Sequence, residues 1–566
     1  MVVWKVLDRE GKPVKPLEFD GRTQLDVVKE LLEAFDSYNL VFYVSPVGTG
    51  KSLVALVTLY NRFSNGIIVV PTKHLQRQYY RDYNPVTGKL RIPNLNIRFI
   101  LGRGNFICPL KNVPCNDPTL PCTRPLDEGE KRYEVASECP YWIPRYPERM
   151  AKVIAYKLGK DYATYRTAGE PMAQFYSTQA KDCPYLRQYY EAYINSEVIV
   201  MNDKLWLIET LARRKPKWYS GVEILDEVDL LLDRLVRGFR LRYSDIKDML
   251  DKGLERDWKW ILSGKASESD VFDFIVSLMA KVESKRDTKE RLYYRLQRIY
   301  EDWSRLVYRA EANELYFFYK SPKEYLRQIL SRSNDYILGM SATLHDLKVL
   351  TDYFGFDRDS FCIVYGRPTF PGKLYLIKSR RWWIRHDNWE KLRKDVLDET
   401  RRIIEEGAKH GFRSLVQAHA FKYVEGLGIP IDSANNDFFD LWIKGKLNAI
   451  ASTRTKRGVD LRKELIPKKL LIIPKFPLPD KESMQIRCLF ETLPERLARA
   501  VYYDMAKRDL IQQIGRVLRS DDDWAVVAIL DKLALRVLKR LKLWNLVEID
   551  SFEAVGELHE PVKVAG

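Results

Sequence analysis

The sequence predicts an α/β protein with two parallel-sheet domains, the first interrupted by a cysteine-rich insert and by a helical insert. Three features of the chain point there. Short continuous apolar runs alternate with helical periodicity in both halves, the pattern of strands covered on both faces by helices. Five of the seven cysteines fall between residues 108 and 183. Residues 232–335 read as long, charged helices without strand signals.

The elements follow in order. Residues 25–37 (LDVVKELLEAFDS) carry apolar positions at helical spacing, and 40–44 (LVFYV) is a buried-strand run. A glycine turn, SPVGTGKS (45–52), leads into a second helix, and 66–70 (GIIVV) is the next strand run. From about 99 to 185 cysteines, prolines and short polar turns replace regular periodicity. Strand runs return at 197–201 and 221–225, the latter running into Asp226-Glu227-Val228-Asp229. The helical insert includes a helix predicted over 288–310. Beyond Ser341-Ala342-Thr343-Leu344, strand runs at 373–377, 449–452, 470–473 and 525–530 alternate with helices to the end.

The chain has 566 residues, which at about 150 per domain suggests three or four domains. Hydrophobic residues make up 46% and charged residues 30%, excluding disordered, collagen-like and low-complexity classes. No run of 18 apolar residues is present, and the N-terminus lacks a basic leader followed by an apolar core. The expectation is a soluble, cytoplasmic protein without a membrane partner. With 94 Lys+Arg against 77 Asp+Glu the net charge is +17, which favours a polyanionic partner, nucleic acid first. Scarce glutamine beside abundant tyrosine, lysine and arginine suggests a thermophile.

A strand, a glycine turn and a helix in that order form the setting of a phosphate-binding loop. The backbone N–H groups of Gly48, Thr49 and Gly50 would face the phosphates, Lys51 would reach the β/γ-phosphates and Ser52 would hold Mg²⁺. Ser45 stands where the strict pattern has Gly. Asp226 and Glu227 close a strand run, which suits one carboxylate to the Mg²⁺ shell and the other to the attacking water. Near the C-terminus, QQIGRVLR (512–519) places Arg516 and Arg519 three apart, predicting one helical face from which two guanidinium groups reach the γ-phosphate.

The gaps between Cys108, Cys115, Cys122, Cys139 and Cys183 are 6, 6, 16 and 43 residues, with no C-x-x-C knuckle. An intracellular cluster of this kind reads as a metal site, and the separated ligands favour iron–sulfur over zinc. Four ligands are needed and five thiols are available. Cys362 and Cys488 read as buried small hydrophobes. Candidates for a nucleic-acid track are Thr72 after a strand end, Asn105, Thr453 and Thr455, with Trp382-Trp383 beside Arg380-Arg381 as a basic-aromatic cluster.

Together these segments resemble the superfamily 2 helicases, and within them the XPD/DinG family of iron–sulfur helicases. SPVGTGKS (45–52) resembles motif I, PTKHLQRQ (71–78) motif Ia, DEVD (226–229) the DEAH box and GMSATL (339–344) motif III. TRTKRGVDL (453–461) resembles motif V and QQIGRVLR (512–519) motif VI. GRGNFIC (102–108) and CPYLRQYYEAYINSEVIVMND (183–203) resemble the two ends of the family's cluster domain.

The resemblance implies two RecA-like motor domains, the first carrying an iron–sulfur domain and a helical arch. The implied boundaries are 1–98, 186–231 and 336–348 for motor domain 1, 99–185 for the iron–sulfur domain, 232–335 for the arch and 349–566 for motor domain 2. It adds Gln512 and Asp460 to the ATP and Mg²⁺ site. It also implies a [4Fe–4S] cluster on Cys108, Cys122, Cys139 and Cys183, with Cys115 the alternative to Cys122, together with 5′ to 3′ translocation on single-stranded DNA by a monomeric motor and opening of forked DNA. A compact archaeal repair helicase is one setting that fits; a viral, plasmid or defence role is another. The alternative functions are an ATP-dependent translocase, an RNA–DNA hybrid unwinder and a non-unwinding ATP-binding scaffold subunit. Three positions depart from the family pattern: Asp229 stands in place of the usual His, Arg457 precedes Gly458-Val459-Asp460, and Asp531-Lys532-Leu533 lacks an Arg.

Overall fold

Two seven-stranded parallel sheets organise the computed structural model of the protein. It describes all residues except 1, 20, 125–131, 177–182, 236–237, 433–437, 454–460, 462–464 and 556–566. The first sheet contains β1 (Leu40–Val44), β2 (Gly66–Val70), β3 (Ile97–Ile100), β4 (Val198–Asn202), β5 (Val222–Asp226), β6 (Tyr336–Ser341) and β7 (Phe361–Tyr365). Their spatial order is β7-β1-β6-β5-β2-β4-β3, and every pairing is parallel. Successive side chains alternate between the two faces: Val41, Ile68, Val70 and Ile224 pack on one side, while Phe42, Ile67, Val69 and Leu225 pack on the other. Continuous apolar runs are therefore what this position demands.

The second sheet contains β8 (Lys373–Ile377), β9 (Arg413–Gln417), β10 (Ile431–Asp432), β11 (Ala449–Ser452), β12 (Lys469–Ile473), β13 (Trp524–Ile529) and β14 (Asn545–Ile549). It too is parallel throughout, in the order β10-β11-β9-β12-β13-β8-β14. The helices that matter below are α1 (Gln24–Ser37), α2 (Lys51–Arg62), α3 (Lys73–Tyr83), α4 (Pro184–Ile194), α5 (Val228–Leu235) and α6 (Glu495–Ile514). A capping box opens α1: the Thr23 hydroxyl accepts from the Asp26 N–H, and the Asp26 carboxylate accepts from Thr23.

Several expectations change. Strand β7 pairs with β1, so the first sheet extends beyond the expected division at 348/349. The cysteine-rich insert holds a regular three-stranded antiparallel sheet (Arg145–Pro147, Met172–Phe175, Tyr162–Tyr165) and a helix, Glu148–Leu158. The helical insert also has a sheet, of Arg240–Arg242, Glu314–Tyr319 and Leu306–Glu311. The helix predicted over 288–310 ends at Glu301. The hairpin that follows turns at Ala312, and its second strand alternates half-buried with buried side chains, a period of two that charge density had masked. Helices Lys252–Leu262 and Glu268–Ser284 pack Trp258, Val271, Phe274 and Leu278 into the same core as one face of the first sheet. Among the described residues no helix is long and apolar enough to cross a membrane.

Candidate nucleotide and metal sites

The loop after β1 is built for close approach. Gly48 (φ +90°) and Gly50 (φ +71°) adopt the left-handed conformation, and Gly50 is the N-cap of α2, so the first amides of the helix face the loop. Ser45 takes the place of the usual glycine without disturbing the turn, because its buried hydroxyl bonds the Thr49 hydroxyl at 2.9 Å. The Thr49 hydroxyl in turn donates to the Pro46 carbonyl at 2.8 Å. The Lys51 ammonium donates to the Ser45 and Pro46 carbonyls at 2.9 and 3.1 Å, which holds its charge inside the loop. Burial lowers its pKa, opposed by the charges of Glu227 and Asp226.

Asp226 ends β5 and is buried. One of its oxygens accepts from the Glu227 N–H at 2.9 Å, and the other accepts from the Tyr79 phenol of α3 at 3.0 Å. Burial and the adjacent Glu227 raise its pKa to about 7, against the charge of Lys51. Tyr79 thus holds a carboxylate expected to share in binding a metal ion. Glu227 sits at φ +51°, a strained conformation for a side-chain-bearing residue at a site of expected chemistry.

The second domain closes over this loop. A Cβ placed on Gly48 would lie 2.4 Å from the Arg519 carbonyl oxygen, so the loop packs directly on the backbone that carries the arginine. Arg516 is buried and its Nε donates to the Gln512 carbonyl at 3.2 Å. The two arginines do not share a helical face: α6 stops at Ile514, and both lie in the turn and loop beyond it. Gln512 is on α6 and its amide donates to Thr343 at 3.1 Å. Asp460 and Arg457 lie outside the described residues.

Asp229, the departure from the DEAH pattern, is fully buried on α5. Its carboxylate accepts from the Ser341 and Thr343 hydroxyls at 2.8 and 2.6 Å and lies 3.4 Å from the Arg508 guanidinium of α6. Arg508 also forks onto Asp233 at 2.9 and 3.0 Å and bonds Asp504 at 2.9 Å. Position 229 therefore ties the acidic end of β5, the segment after β6 and the second domain together.

The cysteines of the insert converge. An antiparallel bridge between Ile107 and Pro114 sets Cys108 beside Cys115, and their N–H groups donate to the Val113 and Phe106 carbonyls at 2.7 and 2.9 Å. Cys183 is the N-cap of α4. Cys108, Cys115, Cys139 and Cys183 are buried and Cys122 is half-buried. Burial raises the Cys115 thiol to about 12, and Cys183, Cys108 and Cys122 push the same way. Cys139 is raised by burial and then by Cys122, Cys183 and Cys108. Such mutual repulsion needs a cationic centre if the sulfurs are to ionise together.

Among the described residues no three of these thiols lie within 4.8 Å of one another. Zinc bonds of about 2.3 Å would place tetrahedral sulfurs roughly 3.8 Å apart. The donor set is sulfur only, the ligand chemistry that iron–sulfur clusters use. Arg103 donates to the Cys122 sulfur at 3.3 Å, with its guanidinium 4.3 Å from the Tyr185 ring centre.

The expected nucleic-acid contacts are dispersed. Thr72 caps α3, its hydroxyl accepting from the Leu75 N–H at 3.1 Å. Asn105 is exposed and donates to the Gly102 carbonyl at 2.8 Å. Thr453 follows β11, and Thr455 lies outside the described residues. Trp382 is half-buried, whereas Trp383 is exposed beneath Arg536 at 4.9 Å. Sequence reading missed Gln24, which is buried and whose amide clamps Thr49 at 2.9 Å, and also Tyr79, His345 and Arg508. None sits in a segment whose spacing alone signals chemistry.

The chain is similar to known proteins in both motor domains. The DEAD/DEAH box helicase model matches residues 22–104, and the Helicase C-terminal domain model matches residues 430–544. Solved structures named XPD_Helicase and XPD_APO align with TM-scores of 0.56 and 0.54 at 16% and 15% identity. A structure of S. tokodaii Xpd4 aligns at 0.51 and 12% identity. In all three the match covers 93% of this chain and 99% of the other. No curated protein matches the sequence.

Proposed function

We propose that the chain is an ATP-hydrolysing superfamily 2 helicase of XPD/DinG-like fold, translocating 5′ to 3′ on single-stranded DNA and opening forked duplexes. It acts as a monomeric cytoplasmic motor of a prokaryote, in DNA repair or in processing mobile-element and defence DNA. The observation that carries this reading is the packing of Gly48 against Arg519, which sets the phosphate loop of one domain against the arginine loop of the other. ATP held by the 48–52 loop lies between Lys51 and the Asp226–Glu227 pair on one side and Arg516 and Arg519 on the other. Ser52 and Asp226 would hold Mg²⁺, which would supply neutralising charge to the phosphates. Glu227 orients the attacking water, and the two arginines stabilise charge on the γ-phosphate. Asp229 bonds groups of both domains, which supports a coupled motor over a non-unwinding scaffold.

Cys108, Cys122, Cys139 and Cys183 would hold a [4Fe–4S] cluster. The Arg103 contact to Cys122, which stabilises a thiolate, supports Cys122 over Cys115. When bound, the cluster supplies a rigid cross-link among loops that have little core of their own.

Strand displacement on tailed duplexes tests the reading, using anaerobically purified protein and Lys51→Ala as the blank. Opening that requires ATP and a 5′ DNA tail is expected. Opening only from a 3′ tail, or only on RNA loading strands, refutes the polarity or the substrate. No opening by cluster-loaded protein refutes the autonomous helicase. Loss of iron and of the brown visible absorption in Cys122→Ser, with retention in Cys115→Ser, is the expected ligand result; the reverse assigns Cys115.

A further inference from the structure

His345 follows the segment that resembles motif III, and the hydrolytic chemistry above does not use it. The side chain is buried, and its ring packs against Phe354 with centroids 4.8 Å apart. Its Nδ1 lies 2.8 Å from Asp504 on α6 of the second domain. Its Nε2 lies 3.3 Å from the Asp229 carbonyl oxygen and 3.5 Å from the Asp233 carboxylate on α5 of the first. The next residue repeats the link, the Asp346 N–H donating to the other Asp504 oxygen at 2.9 Å. One imidazole therefore spans the contact between the helix that follows Asp226–Glu227 and the helix that carries Gln512.

The charges show why a second donor belongs there. Asp229, Asp233 and Asp504 converge on a single guanidinium, Arg508. Asp229 is also satisfied by Ser341 and Thr343. Asp504 accepts from the Asp346 N–H and lies 3.4 Å from the Lys507 ammonium, and the His345 ring is the side chain that links it to α5. Burial alone would push the Asp504 carboxyl up, but the His345 hydrogen bond and the Arg508 charge hold it below the usual range.

We propose that His345 is a positioning residue that supplies, from 116 positions along the chain, the imidazole that position 229 lacks. It locks the α5 turn to α6, so that movement of the second domain is felt at Asp226 and Glu227. This role rests on the reading of the protein as a nucleic-acid-stimulated ATPase.

Two variants divide the ring's functions: His345→Asn keeps a polar group near the Nδ1 position, and His345→Gln keeps one near Nε2. The measurement is ATP turnover with and without single-stranded DNA, together with the melting temperature and KM for ATP. Stimulation is expected to fall about tenfold in His345→Gln, a typical coupling between sites, and less in His345→Asn. Basal turnover and KM should stay within about twofold of the parent. A double-mutant cycle with Asp504→Asn should be non-additive, which separates this contact from a general loss of packing. Unchanged stimulation in His345→Gln, or additivity in the cycle, overturns the proposal. If the parent itself is not stimulated by any nucleic acid, the proposed function is what fails. Energy transfer between dyes on the two motor domains then decides the role of His345. ATP-driven approach of the domains should be weakened in His345→Gln, and an unchanged approach overturns it.

Discussion

Gly48→Ala isolates the closure of the two motor domains from nucleotide binding. An added Cβ would lie 2.4 Å from the Arg519 carbonyl oxygen, where ordinary contact begins at 3.4 Å. Both partners are backbone, so neither can rotate away. Arg519 is further fixed by its N–H, which donates to Asp523 at 3.0 Å. The cleft must open by the shortfall of about 1 Å, and a misplacement of that size costs about 100-fold in rate. The φ of +90° adds strain of about 1–2 kcal/mol. Gly11→Ala is the control for strain alone, since Gly11 has φ +82° and open space around it. Steady-state turnover at saturating ATP and nucleic acid should therefore fall about 100-fold in Gly48→Ala and little in Gly11→Ala. Lys51 and Ser52 remain in place, so the affinity for a fluorescent ADP should change by less than about tenfold. Turnover in Gly48→Ala equal to that in Gly11→Ala would show that the packing of Arg519 on the loop is no part of the hydrolytic state.

Three further outcomes are expected. Tyr79→Phe removes the 3.0 Å bond to Asp226; a lost bond to a charged group, about 1.5–3 kcal/mol, should raise the Mg²⁺ concentration needed for half-maximal nucleotide binding about tenfold or more, and an unchanged Mg²⁺ titration excludes the role. Asp226 has its pKa raised from 3.8 to about 7, so the folded state binds the extra proton and the group costs stability as pH rises from about 4 to about 7. Asp226→Asn should then stabilise the nucleotide-free protein, little near pH 4 and by on the order of 4 kcal/mol above pH 7; thermal melts showing the same gain at both pH values would contradict this. Arg508→Met leaves three carboxylates facing one another and should destabilise by about 3–5 kcal/mol, read as a lowered urea midpoint, with Arg508→Lys intermediate.

Strands that depend only on burial were legible in the sequence. The runs at 40–44, 373–377 and 449–452 match β1, β8 and β11 residue for residue, because a strand covered on both faces must be apolar throughout. Strands β3 (IRFI) and β9 (RSLVQ) begin beside charges and stayed hidden. The hairpin at 306–319 was hidden because Tyr, Arg and Glu on its open face imitate a charged helix. The phosphate loop was legible because its chemistry is local: glycine φ angles and one lysine define it. The network around Asp229 was not, since its members are spread from 229 to 508 and meet only when the two sheets face each other. Position 229 looked like a defect in sequence. In the fold it is an acceptor for two hydroxyls and a guanidinium.

The choice of charge at that contact has a mechanical consequence. Buried ion pairs add little net stability, since desolvation offsets their attraction; an apolar contact between α5 and α6 would hold the domains more firmly. A cluster of Asp229, Asp233, Asp504, Arg508 and His345 behaves differently when strained. If the domains part slightly, carboxylates lose partners while water is still excluded, and each unpaired buried charge costs several kcal/mol. If they part fully, water solvates every group and most of that cost is recovered. Intermediate separations would thus be the least favourable, so the charges favour two positions for the contact, bonded and hydrated. A motor that must release its grip once per ATP and regain it in register needs such a two-position element rather than a graded spring. The same logic extends to the direct links from Asp229 to Ser341 and Thr343 and from Gln512 to Thr343: through them, a two-position contact would carry its change to residues beside the phosphate loop.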